Sequence, residues 1–326
     1  MLNLTVEEQV FPLAEVFTIS RGSRTDARVV VATLSDGLHT GRGECVPYAH
    51  YGETVASVIA QIESLVGDLV SGFDREALQY RLPAGAARNA LDCAFWDLEA
   101  KVAGKPVWKL AGMAAPKPEI SAFTLSLGTP DAMREKAKRH AARPLLKLKL
   151  GGEGDIERLQ AVREGAPEAR IIVDANEGWD YETYARLAPV LIELNIIMVE
   201  QPLPVHADSA LADIHRPLPV CADEACHDRS SLATLVGRYD MINIKLDKTG
   251  GLTEALALKH EALAQGFDIM VGCMVSSSLS MAPALLVAQG VAVVDLDGPL
   301  LLAQDREHGM RFDHKGIHPA IPSLWG

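Results

Sequence analysis

Positive charge is scarce in this sequence. Its 326 residues include 31 lysines and arginines against 43 aspartates and glutamates, which gives a formal net charge of −12. This balance argues against a nucleic-acid partner, because clustered basic side chains are needed to bind the phosphate backbone and no basic stretch is present. Neither GxGxxG nor GxxxxGK followed by Ser or Thr occurs, so the glycine-rich loops that hold nucleotide phosphates are also missing.

The sequence also lacks the marks of secretion and of a membrane span. The first ten residues, MLNLTVEEQV, contain neither a basic start nor an apolar core, so no secretory leader is expected. The most apolar stretch, residues 275–303, is interrupted by serines, Gln289, Gly290, aspartates and prolines, which predicts a buried helix followed by a strand. Five cysteines, none in a CxxC pair, give no complete disulfide framework and favour a reduced, cytoplasmic protein.

The first third of the chain follows a different pattern from the rest. Residues 28–34 (RVVVATL) and 38–45 (LHTGRGEC) are rich in strand-forming side chains and flank Ser-Asp-Gly, which predicts a β-hairpin. Residues 57–70 have helical spacing, and residues 83–104 form an alanine-rich segment that begins with proline and ends with glycine, as helices often do. Strands followed by helices predict a small α+β domain over residues 1–115.

Residues 116–326 repeat one pattern eight times: a short apolar run, a polar residue at its end and a helical segment. The runs are ISAFTLSL, LLKLKL, RIIVDAN, IIMVEQP, PVCADE, MINIKL, DIMVGCM and VAVVDLDG. A repeat of about 25 residues fits one strand and one helix, and eight such α/β units close into a (β/α)8-type barrel. An open flavodoxin-like sheet is the alternative, which the eight equal units and the missing phosphate loop disfavour.

Charged residues end five successive runs: Lys149, Asp174, Glu200, Asp223 and Lys245. In a parallel barrel these ends meet at one rim, where the active site lies. A single carboxylate at a strand end commonly caps the next helix, but three on adjacent strands repel one another unless a cation lies between them. Oxygen ligands without histidine or cysteine favour Mg²⁺, with Mn²⁺ as the alternative, over zinc.

The lysines at this rim indicate acid–base chemistry. In residues 145–150 (LLKLKL), Lys147 and Lys149 share one face of the predicted strand, which suits either a solvated edge strand or a barrel mouth. A cation and the nearby Lys147 would disfavour the charged form of Lys149, as a general base requires. A substrate carboxylate bound to the cation would have a more acidic α-proton. With Lys149 and Lys245 on opposite sides, removing this proton from one face and returning one to the other inverts the carbon.

Five motifs, KLK, VDAN, VEQP, ADE and NIKLDKTGG, occur in an order and spacing that closely resemble the muconate-lactonising subgroup of the enolase superfamily, across essentially the whole chain. The resemblance implies a (β/α)7β TIM-like barrel over residues 116–326 and a capping domain over residues 1–115 that helps close its mouth. It also implies Mg²⁺ on the three carboxylates and acid–base roles for the two rim lysines. Lys147 would neutralise a substrate carboxylate, whereas Lys248, beyond the strand end, is expected to be solvated.

The last run and an N-terminal segment bear on the substrate. Asp295 and Asp297 of VVDLDG share one face, and in dipeptide epimerases of this subgroup such a DxD pair holds the α-ammonium group of the substrate. The alternative is a capping aspartate followed by a turn aspartate. Arg21 or Arg24, within TISRGSRTD, would meet a side-chain carboxylate, although both also suit an ordinary surface position.

The resemblance implies a dipeptide substrate, with Thr124 and Met274 lining its site, and epimerisation at the glutamate α-carbon of L-Ala-D/L-Glu through a metal-stabilised enolate in murein peptide metabolism. o-Succinylbenzoate synthase or another cycloisomerase of the superfamily is the nearest alternative. A lysine Schiff-base aldolase, from another mechanistic class, is disfavoured by the three carboxylates. A binding protein without turnover is disfavoured because every catalytic position is filled. Neither a nucleic-acid nor a membrane partner is expected, and assembly into a homo-oligomer is left open.

Overall fold

The computed structural model describes residues 2–70 and 72–326, and its N-terminal part is a three-stranded antiparallel sheet. The strands are β1 (Asn3–Ile19), β2 (Gly22–Ser35) and β3 (Thr40–Cys45), in that order across the sheet. The predicted hairpin is confirmed, since Ser35 pairs with Thr40 on either side of the turn. Strand β1 is not predicted by the sequence. It pairs with β2 with a register shift between Pro12 and Phe17.

Five helices follow the sheet in the N-terminal domain. They are α1 (Val55–Glu63), α2 (Val66–Val70), α3 (Arg75–Arg81), α4 (Ala86–Ala103) and α5 (Val107–Leu110). The predicted helix over residues 57–70 is thus divided in two, whereas the alanine-rich segment is helical as expected and Gly104 ends it in a left-handed conformation, φ 59°. Helix α4 packs so close to the sheet that β3 needs glycine at position 43, because a Cβ there would collide with the carbonyl oxygen of Ala90. Helix α4 therefore lies directly on the sheet.

The remaining chain forms a barrel of eight parallel strands. They are β4 (Phe123–Leu125), β5 (Leu145–Lys149), β6 (Arg170–Asp174), β7 (Ile196–Glu200), β8 (Val220–Ala222), β9 (Met241–Ile244), β10 (Asp268–Gly272) and β11 (Val293–Asp295), paired in chain order. Each of the eight predicted runs contains one of these strands. A hydrogen bond of 2.8 Å from Ala122 N to Val294 O joins the first strand to the last and closes the barrel. The predicted barrel with an N-terminal α+β domain is confirmed.

Helices alternate with the barrel strands along the chain. They are α6 (Pro130–Arg139), α7 (Asp155–Gly165), α8 (Tyr181–Glu193), α9 (Leu232–Leu235), α10 (Leu246–Thr249), α11 (Leu252–Ala264), α12 (Ser278–Val287) and α13 (Gly298–Leu301). Between β7 and β8 the connection is a 3₁₀ helix, Val205–Ala212. After β11 only the four-residue α13 forms, and a hairpin of β12 (Phe312–Asp313) and β13 (Gly316–Ile317) follows. Within the described residues, no full eighth helix covers the wall formed by β11 and β4.

The barrel interior is layered because successive side chains of a strand point to opposite faces. One inward residue at each strand forms an apolar ring: Ala122, Leu145, Ile172, Met198, Cys221, Met241, Met270 and Val293. The residues two positions further along the chain are Thr124, Lys147, Asp174, Glu200, Asp223, Asn243, Gly272 and Asp295. All of these except Gly272 are polar, so a polar layer lies on the apolar ring, toward the carboxyl ends of the strands.

Buried polar contacts join the sheet domain to the barrel. Asp247, which follows β9, accepts hydrogen bonds from Val46 N (2.9 Å) and from Asn89 Nδ2 (2.8 Å). Arg306 Nε lies 3.0 Å from Glu44 Oε2. The division of the chain at residue 115 stays a prediction. In the part of the chain that the structure describes, no helix has the length and apolar character needed to cross a bilayer.

Candidate active site

Three carboxylates meet where adjacent strands end. Asp174 and Glu200 are the last residues of β6 and β7, and Asp223 follows β8 directly. All three are at most 1% exposed, and one carboxylate oxygen of each lies within 4.8 Å of the others. Buried carboxylates at this spacing repel one another and lose hydration, and a hard divalent cation bound by oxygen ligands offsets both effects. The structure therefore brings together the three residues that the sequence predicts as metal ligands.

Each of these carboxylates has one oxygen anchored by the protein, while the other lies against a lysine ammonium. The anchoring contacts are Asn176 N to Asp174 Oδ1 (2.9 Å), Asn243 Nδ2 to Glu200 Oε1 (2.7 Å) and Lys248 Nζ to Asp223 Oδ1 (2.7 Å). Glu200 Oε2 is buried and accepts no hydrogen bond, although Lys147 Nζ lies 2.6 Å away. Each carboxylate thus has one fixed oxygen and a second that faces the shared centre, and three such oxygen donors fit a hard divalent cation such as Mg²⁺.

Lys149 and Lys245 approach the carboxylates from two different strands. Lys149 Nζ is 2.5 Å from Asp174 Oδ2, and Lys245 Nζ is 2.6 Å from Asp223 Oδ2. Both lysines line one cleft at the barrel mouth, together with side chains from β1 and β2. Burial alone would lower the pKa of Lys245, but the charges of Asp223 and Glu200 raise it well above its usual value. A cation on the carboxylates would act in the opposite direction and favour the neutral amine.

Lys147 lies deeper than Lys149, in the polar layer, and is 1% exposed. Its Nζ donates to Asp295 Oδ2 at 2.8 Å and lies 3.1 Å from Asp174 Oδ2. Burial alone would lower the pKa of Lys147, but Asp295, Glu200 and Asp174 raise it well above its usual value. Burial and the charge of Asp174 raise the pKa of Glu200 to about 7. Lys147 is therefore a fixed positive charge within the polar layer.

The prediction that Lys248 is solvated is wrong. The residue is 1% exposed, and its Nζ donates to the backbone oxygen of Asp223 (2.6 Å), to Asp223 Oδ1 (2.7 Å) and to Asn243 O (2.9 Å). The reason is local: β9 ends at Ile244 and α10 begins at Leu246, so the first helical turn carries Lys248 back over the rim. Three acceptors match the three N–H groups of the ammonium, which makes Lys248 a fixed partner of Asp223.

Asn243 is a site residue that the sequence analysis missed. It belongs to the polar layer, is fully buried, and its amide holds Glu200. The neighbouring strand leaves room for this amide, because a Cβ on Gly272 would stand 2.7 Å from Asn243 Oδ1 and 2.8 Å from its Nδ2. A signal was present in the sequence: Asn243 precedes Lys245 by two residues, as Lys147 precedes Lys149, so both pairs point inward.

Asp295 and Asp297 line the same cleft. Asp297 is the residue that precedes α13, but its side chain makes no capping hydrogen bond to that helix. Asp297 Oδ2 accepts from Thr124 N at 2.6 Å, while Asp295 pairs with Lys147. Burial and the charge of Asp295 raise the pKa of Asp297 to about 7. Thr124 and Met274 line the cleft as well. A ligand ammonium placed here would relieve the repulsion between the two aspartates.

The tip of the β1–β2 hairpin brings Arg21 and Arg24 to the mouth. Arg21 Nη2 lies 2.7 Å from Glu224 Oε1 and 2.9 Å from Tyr48 Oη, and Arg21 Nη1 lies 3.0 Å from Asn176 O. Arg21 therefore fastens the hairpin to the barrel. Arg24 lines the same cleft and forms no ion pair with any carboxylate among residues 2–70 and 72–326, so its guanidinium is available to a ligand.

Two family models match the chain. Residues 1–112 match the N-terminal domain of mandelate racemase/muconate lactonizing enzyme, and residues 132–311 match the enolase C-terminal domain-like family. The chain is 50% identical over 320 residues to L-Ala-D/L-Glu epimerase of Escherichia coli (strain K12), covering 98% of this chain and 100% of that protein. It is 44% identical over 300 residues to N-acetyl-D-glutamate racemase of a Pseudoalteromonas species, covering 91% and 95%.

Solved structures agree over the whole fold. An enolase family member from Agrobacterium tumefaciens with homology to dipeptide epimerases, solved with sodium and L-Ala-L-Glu, superimposes with a TM-score of 0.98, 52% identity and full coverage of both chains. The dipeptide epimerase of Cytophaga hutchinsonii, solved with Mg and D-Ala-L-Val, gives a TM-score of 0.89 at 27% identity, covering 98% of this chain and 94% of that one.

Proposed function

The chain belongs to the mandelate racemase/muconate lactonizing enzyme family of the enolase superfamily, and we propose that it is a Mg²⁺-dependent epimerase of L-Ala-D/L-Glu dipeptides. The observation that carries the proposal is the placement of Lys149 and Lys245 against two of three buried carboxylates at one mouth. The reaction inverts the glutamate α-carbon, and its proposed setting is the turnover of murein peptides in the cytoplasm.

Inversion needs a base on one side of the α-carbon and an acid on the other. Asp174, Glu200 and Asp223 would hold Mg²⁺, which when bound stabilises the negative charge that develops on the substrate carboxylate. Lys149 Nζ takes the α-proton from one face, and Lys245 Nζ gives a proton to the opposite face. The opposite epimer uses the two lysines in exchanged roles. Lys147 keeps a positive charge near the substrate carboxylate throughout.

The remaining side chains of the cleft account for a dipeptide with glutamate at its C-terminus. Asp295 and Asp297 bind the α-ammonium group of the N-terminal residue, which supplies the cation that two adjacent buried aspartates need. Arg24, whose guanidinium pairs with no carboxylate in the described part of the chain, binds the glutamate side-chain carboxylate. Thr124 and Met274 contact the body of the dipeptide.

The other candidate reactions fit these residues less well. o-Succinylbenzoate synthase precursors and N-acetylglutamate both lack an ammonium group, so Asp295 and Asp297 would have no cationic partner in the substrate. A Schiff-base aldolase does not need three convergent carboxylates. Racemisation of N-acetylglutamate is the second candidate, favoured by the 44% identical racemase, and is distinguished by testing that substrate directly.

The test is ¹H NMR of the protein with Mg²⁺ in D₂O. We expect the glutamate α-proton signals of L-Ala-D-Glu and L-Ala-L-Glu to disappear as deuterium enters, and EDTA to stop the exchange. N-acetyl-L-glutamate should exchange at least about 100-fold more slowly, since a charged pair desolvated in a pocket is worth several kcal/mol. If neither dipeptide exchanges its glutamate α-proton, the proposal is wrong. If N-acetyl-L-glutamate exchanges faster than the dipeptides, the protein is better described as an N-acetylglutamate racemase.

Variants test the residue assignment separately. Lys149→Ala and Lys245→Ala should each abolish epimerisation, because each removes one of the two proton carriers. Lys138→Ala, on the surface of α6 where it pairs with Glu135, serves as the matched control and should leave the rate unchanged. Epimerisation at the wild-type rate in either rim-lysine variant would disprove the two-base mechanism even if the substrate assignment holds.

A further inference from the structure

A cleft on the outer wall of the barrel contains an arginine, Arg143, that has no acidic partner within 4.0 Å among the described residues. It encloses about 430 Å³ between the end of α6, the segment before β4 and the β12–β13 hairpin, and shares no lining residue with the mouth. It lies along the wall that no full eighth helix covers among the described residues. Its lining combines apolar and basic side chains, chiefly Ile120, Leu300, Phe312, Arg139, His140 and Arg143.

Arg143 is a pre-positioned cation in this cleft. Its Cζ stands 4.2 Å from the centroid of the Phe123 ring, and its Nε donates to His140 Nδ1 at 3.4 Å. Among residues 2–70 and 72–326, no carboxylate lies within 4.0 Å of its guanidinium, and its two Nη groups donate no hydrogen bond. Arg75, which is also partly buried, is paired with Glu99. Arg143 is thus a half-buried cation whose terminal donors have no protein acceptor.

The side chains around Arg143 keep it in this position. The ring of His140 also packs on Phe123, with centroids 4.1 Å apart. Burial and the charge of Arg143 lower the pKa of His140, so a neutral ring accepts the Arg143 Nε hydrogen. The guanidinium therefore has one face covered and one edge occupied. The remaining edge, with both Nη groups, is the part that a planar anion can meet.

The other charged side chains that line the cleft already have partners of opposite charge. Arg139 stands beside Arg143 in the lining, and its Nη2 lies 3.8 Å from Glu15 Oε1. The carboxylate that lines the cleft, Asp313, is already bound by Arg311, by His318 Nε2 (2.9 Å) and by Lys315 N (2.8 Å). It therefore does not neutralise Arg143.

We propose that this cleft binds a small organic carboxylate, held in a bidentate pair by Arg143 with its apolar body against Ile120, Leu300 and Phe312. A guanidinium fork matches the two oxygens of a carboxylate, and half-buried cations gain most from such a partner. The apolar wall selects an anion with a hydrocarbon body over a bare inorganic one. The volume is within the range of small-molecule sites.

The probe is 4-fluorobenzoate, followed by ¹⁹F NMR on the full chain with Mg²⁺ and excess L-Ala-L-Glu, so that the mouth is occupied. We expect saturable binding that is displaced by benzoate and not by benzamide, which has the same shape without the charge. Arg143→Gln should weaken binding at least about tenfold, whereas Arg170→Gln, at the start of β6, should not. No saturation below about 20 mM, or equal affinity in Arg143→Gln, would overturn the proposal.

Further measurements separate this site from the mouth. Arg143→Gln should leave deuterium exchange of the dipeptide unchanged, and Lys149→Ala should leave 4-fluorobenzoate binding unchanged, so failure of the proposed epimerase activity would not affect the result. If Arg143→Gln does not fold by circular dichroism, Arg143→Lys replaces it and should also weaken binding by losing the bidentate pair. Inorganic phosphate displacing the probe as well as benzoate does would overturn the assignment to an organic carboxylate.

Discussion

Lys248 binds Asp223 at two points, its backbone oxygen and its Oδ1, so one ammonium fixes both the strand end and the carboxylate. Lys245, three residues earlier, lies against the other oxygen, Oδ2. The carboxylate is thus held between two lysines of one helical turn. On the other side of the mouth, Lys149 meets Asp174, whose second oxygen is held by a backbone N–H of Asn176 instead. The two lysines proposed as proton carriers are therefore held in different ways.

This asymmetry predicts an unequal effect of Lys248→Met. Loss of the ammonium leaves Asp223 Oδ1 without a donor and misplaces Lys245, while Lys149 keeps its contact with Asp174. Uptake of deuterium from both dipeptide epimers should slow, because Asp223 would also hold Mg²⁺, and losing a residue that orients a metal ligand costs about 10- to 100-fold. Uptake from one epimer should slow more than uptake from the other. Initial uptake rates from L-Ala-D-Glu and L-Ala-L-Glu measure this. Equal slowing of both epimers, or the same pattern in the surface variant Lys138→Met, would contradict it.

Gly272→Ala should disturb the site without touching a charged group. The new Cβ would come within 2.8 Å of the Asn243 amide, which holds Glu200, so the carboxylate must move. We expect exchange to fall roughly 10- to 100-fold, with unfolding free energy lower by about 1–3 kcal/mol from overpacking. Exchange kinetics and urea denaturation measure the two effects. Gly67→Ala, where a Cβ has nothing within 4 Å, is the matched control, and its behaving like Gly272→Ala would refute the explanation.

Arg21 and Arg24 should differ in how they affect substrates. Arg24→Met removes the partner of the glutamate side chain, so kcat/KM should fall roughly 10- to 100-fold for L-Ala-L-Glu and little for L-Ala-L-Met, since hydrogen bonds to charged groups contribute about 1.5–3 kcal/mol. Arg21→Met releases the hairpin from Glu224 and should lower kcat/KM for both dipeptides. Steady-state kinetics with the two dipeptides give the answer. A glutamate-selective loss in Arg21→Met would reverse the assignment.

Asp247, between the two domains, predicts a pH dependence of stability. Burial raises its pKa to about 7 from the ordinary 3.8, so the folded state holds the proton more tightly than the unfolded chain. The stability it contributes is complete below about pH 4 and is lost as the pH rises through about 7. Relative to Asp247→Asn, the wild type should lose roughly 2–3 kcal/mol between pH 5 and pH 8. Urea denaturation at both pH values measures this, and parallel curves for the two proteins would exclude Asp247 as the cause.

The barrel and the charged rim could be predicted because strand alternation and the regular repeat fix both. Asp174, Glu200 and Asp223 end apolar runs that repeat at nearly regular spacing, so a parallel barrel brings them together. The same alternation places Lys147 and Lys149 on one face, and the pairing of β5 with strands on both sides excludes the edge-strand interpretation. The structure places these residues where the sequence predicts, and their catalytic and metal-binding roles stay proposals.

The errors have physical causes that strand periodicity does not capture. Lys248 follows the strand, and it is buried because α10 begins immediately after β9. A helix of four residues is too short to leave a periodic pattern in the sequence, so α10 was not predicted. Asn243 carries no charge, so nothing marked it among ordinary strand residues, although it lies on the inward face. Strand β1 bends around a register shift at Pro12, and this irregularity conceals the alternation on which strand prediction depends.

The apolar ring beneath the polar layer makes the barrel a tube with one open end. Water cannot pass through the floor, so hydrogens carried by Lys149 and Lys245 exchange with solvent only through the mouth, below the hairpin that Arg21 fastens. If exchange through the mouth is slower than turnover, a hydrogen that a lysine takes from the dipeptide can be handed back before it exchanges. Comparing the rate of epimerisation with the rate of deuterium uptake therefore measures how fast the lysine hydrogens exchange through the mouth relative to turnover.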